Sequence, residues 1–199
     1  MLNTNKEKIG KTTLYFLSLF EKYLYETTSP VQNDEYYISV IEQILTFENI
    51  SEIDKIKYKV QLQNIKKNRV GAKATDFTFY NQNQEQKISE IESPYLLLMF
   101  YNPDCHSCIQ IIEQLRNSEI INRLSQNKIL KILMLSVNDV IDFPKNEKQS
   151  WIYANVNYHE ILDLYFIRAF PDLYLLNREQ NIVLKNTDFE KLELFLDNL

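Results

Sequence analysis

Both cysteines of this 199-residue chain fall in one four-residue window, Cys105-His106-Ser107-Cys108. The window comes just after the apolar run Tyr95-Leu96-Leu97-Leu98-Met99-Phe100-Tyr101 and opens a stretch with helical character. A short apolar run bounded by a turn signal reads as a buried strand. The dithiol therefore sits where a strand ends and a helix begins. A strand that feeds straight into a helix and then into another strand builds a parallel crossover, so this one window narrows the fold class to α/β.

The same placement sets the chemistry. In the first turn of a helix a cysteine meets unpaired backbone N–H groups and the positive end of the helix dipole, and both favour the thiolate. Cys105 is expected to titrate below an ordinary thiol and to be nucleophilic near neutral pH. Cys108, three residues on, shares its helical face and lies within reach of an intramolecular disulfide. Other uses of the window stay open at the level of residues. C-x-x-C is also half of a zinc site, for which His106 and His159 are the two histidines in the chain. It suits a structural disulfide closing a very short loop, or two buried, inert thiols. The strand-to-helix setting favours redox chemistry.

Composition removes several function classes. With 45% apolar residues the chain can bury one or two cores. Its two glycines cannot build a glycine-rich phosphate loop, so no nucleotide-binding enzyme is expected. Residues 1–70 carry 10 Lys and Arg against 9 Asp and Glu, and residues 71–199 carry 12 against 18. The acidic remainder is a poor match for a phosphate backbone, and no nucleic-acid partner is expected. Lys55, Lys57, Lys59, Lys66, Lys67 and Arg69 interleave with apolar residues and read as a solvated helix face. No run of about 20 apolar residues is present to span a membrane. The polar beginning and the short apolar run over 14–20 do not read as a signal peptide.

Along the chain, three amphipathic helices are expected first. One covers 9–25 and stops before Ser29-Pro30; a second starts at Asp34 as N-cap, with Tyr37, Ile38, Ile41, Ile44 and Leu45 on one face. A third starts at Ser51, with Asp54 three residues on as an approximate capping box, and carries Ile53, Ile56, Val60 and Ile65 as the apolar positions of an amphipathic helix. At Val70-Gly71 the pattern changes to alternation. Phe77 and Phe79, then Ile88 and Ile91 across the polar run 81–86, read as a hairpin. Next come the strand 95–101, a helix from about Cys105 past Leu115, a helical segment near 118–124 and a strand over 129–137. An irregular stretch holding Trp151 leads to a short helix over 159–165, strands over 172–176 and 182–185, and a closing helix over 189–196. The division expected is a helical domain over 1–70 and an α/β domain over 71–199.

That order, with C-x-x-C at the first strand-helix junction and proline just before the late strand, resembles the thioredoxin fold: a mixed central sheet flanked by helices. Leu98-Met99-Phe100-Tyr101-Asn102-Pro103-Asp104-Cys105 is similar to the family's strand leading to its active-site cysteine. Phe166-Ile167-Arg168-Ala169-Phe170-Pro171 is similar to its approach to a cis-proline. Gly71-Ala72-Lys73-Ala74-Thr75-Asp76-Phe77 resembles the opening of the TlpA/ResA-like branch, which usually has proline where Thr75 stands. The whole chain resembles thioredoxin-like proteins of Gram-negative cell envelopes that carry an N-terminal helical domain without assigned function.

The resemblance implies a thiol-disulfide oxidoreductase of the periplasm or cell envelope, with Cys105 as attacking thiolate and Cys108 as resolving thiol. Protein or peptide thiols and disulfides would be its substrates, and a redox protein its partner. Neither cofactor nor metal is called for. Pro171, if cis, would lie against the dithiol and present the backbone of Phe170 to an extended substrate. His106, when protonated, would stabilise the thiolate, while Asp104 would oppose it and stands where the family commonly has tryptophan. Met99 stands where thioredoxin has a buried carboxylate, which leaves Glu113 as the nearest candidate to accept the Cys108 proton. Two other functions fit the residues: a non-catalytic binding module of the cell envelope, and a metal carrier using the cysteines with His159.

Overall fold

The computed structural model describes residues 2–82, 84–138 and 151–199. The chain divides into two compact units, Met1–Lys67 and Asn68–Leu199.

The first unit is three helices. Helix α1, Leu2–Phe20, runs on into a π-helical turn, Glu21–Tyr25, so the helix begins earlier than its apolar pattern suggests. Gly10 permits its close contact with the loop before the third helix: a Cβ there would sit 2.6 Å from the Asn49 carbonyl oxygen. Helix α2, Asp34–Leu45, is capped by Asn33 rather than Asp34. Asn33 is extended, and its side chain accepts from Tyr36 N–H at 3.1 Å, while Asp34 sits inside the first turn, where its charge meets the helix dipole. Helix α3, Glu52–Ile65, starts from a Ser51 cap as expected, with Ser51 Oγ accepting from Asp54 N–H.

Its buried face is a correction. Ile53, Ile56 and Val60 are exposed, and Lys55, Tyr58, Gln61 and Ile65 are buried. A polar relay turns the helix this way: Tyr37 O–H donates to Gln61 Oε1 at 2.9 Å, and Gln61 Nε2 donates to Glu21 Oε1 at 2.7 Å, with Lys57 on the same carboxylate. An amide satisfied on both sides is worth burying, whereas an unpaired one is not. Lys55 likewise leaves the expected solvated face, its ammonium donating to Glu52 at 3.2 Å while its stem is covered.

The second unit is a sheet in the order β2-β1-β5-β4-β3-β6-β7. Strands β1 (Thr78–Asn81) and β2 (Gln84–Lys87) form the hairpin, but the polar run itself supplies the second strand, and Ile88 opens a 3-10 turn instead. Strand β3, Tyr95–Tyr101, lies at the centre, parallel to β4 (Leu130–Ser136) and antiparallel to β6 (Asp172–Asn177). Strand β5, Ile152–Asn155, pairs parallel with β4 and was not expected; residues 139–150 of the anticipated irregular stretch lie outside the described residues. Strand β7, Ile182–Leu184, closes the other edge.

Both faces of β3 are covered, which is why it reads as an unbroken apolar run instead of alternating. Leu96, Leu98 and Phe100 pack with Ile161 and Tyr165 at helix α6 (Tyr158–Leu164) and its end. Leu97, Met99 and Tyr101 pack with Cys108 and Leu115 of helix α4 (His106–Asn117), with helix α5 (Glu119–Gln126), and with helix α7 (Phe189–Asp197). Where the similar branch has proline, Thr75 uses its N–H, donated to Asn68 Oδ1 at 2.7 Å.

Candidate active site

Strand β3 ends at Tyr101, and a tight turn carries the chain into α4. Asn102 holds that turn: its side-chain oxygen accepts from Asp104 N–H at 3.0 Å and from Asn138 Nδ2 at 3.2 Å, and its carbonyl accepts from Cys105 N–H at 3.0 Å. Cys105 is the N-cap residue of α4, extended at φ −88° and ψ 119°, so its sulfur stands at the helix beginning beside unpaired N–H groups. Cys108 is one turn in and wholly buried against β3. Both are free thiols.

Opposite them lies the segment before β6. The Phe170–Pro171 peptide bond is cis. The Phe170 carbonyl oxygen is 3.6 Å from Cys105 Sγ and accepts from Ser107 Oγ at 3.1 Å; Ser107 Oγ is also 3.0 Å from Cys105 Sγ. Sulfur, hydroxyl and carbonyl form a triangle. The Phe170 ring packs against Tyr158, centroids 6.0 Å apart.

The two thiols are set apart electrostatically. Partial burial works against a Cys105 thiolate, but hydrogen bonds from the Cys108 thiol, the Ser107 hydroxyl and the N–H groups of Cys108 and Ser107 outweigh it and hold Cys105 below the usual thiol range. Burial, and then the Cys105 partner, push Cys108 up to about 12. Just past Pro171, buried Asp172 is pushed up to about 7 by burial, against the pull of Asn186, whose Nδ2 donates to it at 2.6 Å, and of Arg168 and Lys185.

Of the residues singled out in the sequence, the structure brings Cys105, Cys108 and the Phe170–Pro171 segment together. The imidazole of His106 is exposed and lies 3.3 Å from Gln110 Nε2. Glu113 is also exposed and lines a cleft with Asp188 and Glu190. His159 sits at the start of α6 beside Tyr158. Among the described residues no three His, Cys, Asp or Glu side chains converge on a point that would hold a metal ion. Three residues were missed: Ser107, Asn102 and Asp172. Ser107 lay inside the motif, and Asp172 stood out as a carboxylate opening an apolar strand.

Comparison with known proteins bears on the family and the fold. Residues 67–184 match the family described as TraF, F plasmid transfer operon protein. The crystal structure of a thioredoxin-like protein from Bacteroides caccae superposes over 100% of this chain and 78% of its own, with 33% identity and a TM-score of 0.85. The chain belongs to the thioredoxin-like family. Its first 68 residues match a domain of unknown function, DUF5106. The thioredoxin-like unit is also similar to the C-terminal domain of an uncharacterized protein from Bacteroides fragilis, at 32% identity over 66% of this chain and 99% of that one, TM-score 0.60. The thioredoxin domain of a thiol-disulfide oxidoreductase from Bacteroides vulgatus shares the fold, at 20% identity over 65% of this chain and 96% of that one, TM-score 0.55. No curated protein matches the chain by sequence. Among the described residues of this thioredoxin-like protein, no helix is long and apolar enough to cross a membrane.

Proposed function

We propose that the chain is a thiol-disulfide oxidoreductase of the cell envelope that exchanges disulfides with protein or peptide thiols through Cys105 and Cys108. The observation that carries this reading is the asymmetry of the pair: one partly exposed sulfur at a helix beginning with its thiolate favoured, one buried sulfur held protonated. The Cys105 thiolate attacks one sulfur of a substrate disulfide, forming a mixed disulfide and expelling a substrate thiolate that takes up a proton. Cys108 then gives up its proton and attacks Cys105 Sγ, closing the Cys105–Cys108 disulfide and releasing the second substrate sulfur as a thiol. Two electrons pass from the protein dithiol to the substrate; the reverse sequence oxidises a substrate dithiol. Phe170 and Pro171 present backbone to an extended substrate segment. A redox protein restores the starting state.

Equilibration with glutathione mixtures followed by thiol trapping tests this. A reversible two-electron transition between roughly −120 and −270 mV, the span of thioredoxin-type catalysts, is expected. A pair that stays reduced or oxidised throughout would overturn the oxidoreductase reading in favour of a binding module.

A further inference from the structure

The Ser107 hydroxyl has one proton and two acceptors within reach, Phe170 O at 3.1 Å and Cys105 Sγ at 3.0 Å. While Cys105 is a thiol, its own S–H points at the same carbonyl from 3.6 Å, so Phe170 O has two donors and both lone pairs are engaged. Loss of the sulfur proton changes both contacts at once. The S–H donor disappears, and the sulfur becomes an anionic acceptor, for which a hydrogen bond is roughly twice as strong as a neutral one. We propose that Ser107 is a latch on the docking backbone: its hydroxyl covers Phe170 O while Cys105 is a thiol and turns to the sulfur when Cys105 is a thiolate, opening that carbonyl to a backbone N–H of an extended peptide. No proton leaves Ser107; only its O–H rotates. The protein thus favours a peptide when its nucleophile is ready to react. This rests on the proposed use of Phe170 as a docking strand, and it makes Ser107 a positioning residue.

Binding without turnover tests the latch. The probe is a capped, cysteine-free pentapeptide of valine and threonine, with a copy N-methylated along its backbone, titrated into reduced protein by NMR across the Cys105 titration, which thiolate absorbance follows separately. In the native protein Kd falls about fivefold as the thiolate forms, the worth of one net hydrogen bond. Ser107→Ala, left with only the weak and long Cys105 S–H on Phe170 O, binds tighter than the native protein while Cys105 is a thiol, and its Kd changes by no more than about twofold across the titration; Ser107→Thr, which keeps a hydroxyl, restores the native profile. The N-methylated peptide shows no change in any of them. Other titratable groups surround the triangle: Cys108 and His106 on α4, Asp104 before it, Arg168 ahead of Pro171, Asp172 after it, and His159 beside Tyr158. Ser107→Ala removes none of these, so a pH dependence they cause survives undiminished in that variant; a fivefold change retained in Ser107→Ala overturns the proposal, as does a flat profile in the native protein. Because the readout is binding, a redox-inert dithiol with the expected Kd pattern would sink the oxidoreductase reading and keep the latch, while normal exchange with an unlatched Kd would do the reverse.

Discussion

Asp172→Asn should make the thioredoxin-like unit more stable at pH 8 than the native protein, and hardly so at pH 4. Asp172 is 4% exposed and pushed up to about 7 from an ordinary 3.8, burial outweighing the hydrogen bond from Asn186 and the charges of Arg168 and Lys185. The folded state therefore holds a proton that the unfolded chain releases. A raised folded pKa means that stability is fully present below the unfolded value and is lost as pH rises through the folded one. At about 1.36 kcal/mol per pH unit, the full interval is worth about 4 kcal/mol. Relaxation of the interior around a buried charge reduces such a cost, and about 2 kcal/mol is the least this account allows. Asparagine keeps the shape and has no charge to bury, so the difference between variant and native protein should widen by that amount from pH 4 to pH 8. Urea unfolding followed by fluorescence of Trp151, the sole tryptophan and buried among the α4 side of the sheet, reads the correct unit. Identical pH slopes for the two proteins would refute the reasoning.

Other outcomes concern the helical unit. Gly10→Ala should destabilise it by about 1–3 kcal/mol, although alanine is the better helix former, because the new Cβ would lie 2.6 Å from the Asn49 carbonyl; a rise in the thermal midpoint by circular dichroism would contradict this. Ile53→Ser should change stability by less than about 0.5 kcal/mol, whereas Ile41→Ala should cost about 2–5 kcal/mol in the same unfolding assay. Equal losses would restore the apolar face first read for α3.

The central strand, its helix and the late proline were readable because each depends on local chemistry. A seven-residue apolar run, a C-x-x-C at its end and a proline ahead of another apolar run leave few arrangements open. Strand β5 was hidden because Ile152–Asn155 is short and mixed, and only pairing with β4 makes it a strand. The face of α3 was misread because periodicity counts apolar residues, while the partners of Gln61 come from α2 and the π-helical turn after α1, far along the chain. Ser107 escaped notice for a similar reason: its worth comes from the Phe170 carbonyl, 63 residues away.

The claim on which the functional account stands is that one sulfur is primed and the other withheld. Alkylation of the reduced protein with iodoacetamide across a pH series, read per cysteine by mass spectrometry, measures this directly. Cys105 should react with a midpoint below that of an ordinary thiol, and Cys108 should stay unmodified until denaturant is added. Equal modification of both, following the pH dependence of a free thiol, would contradict it.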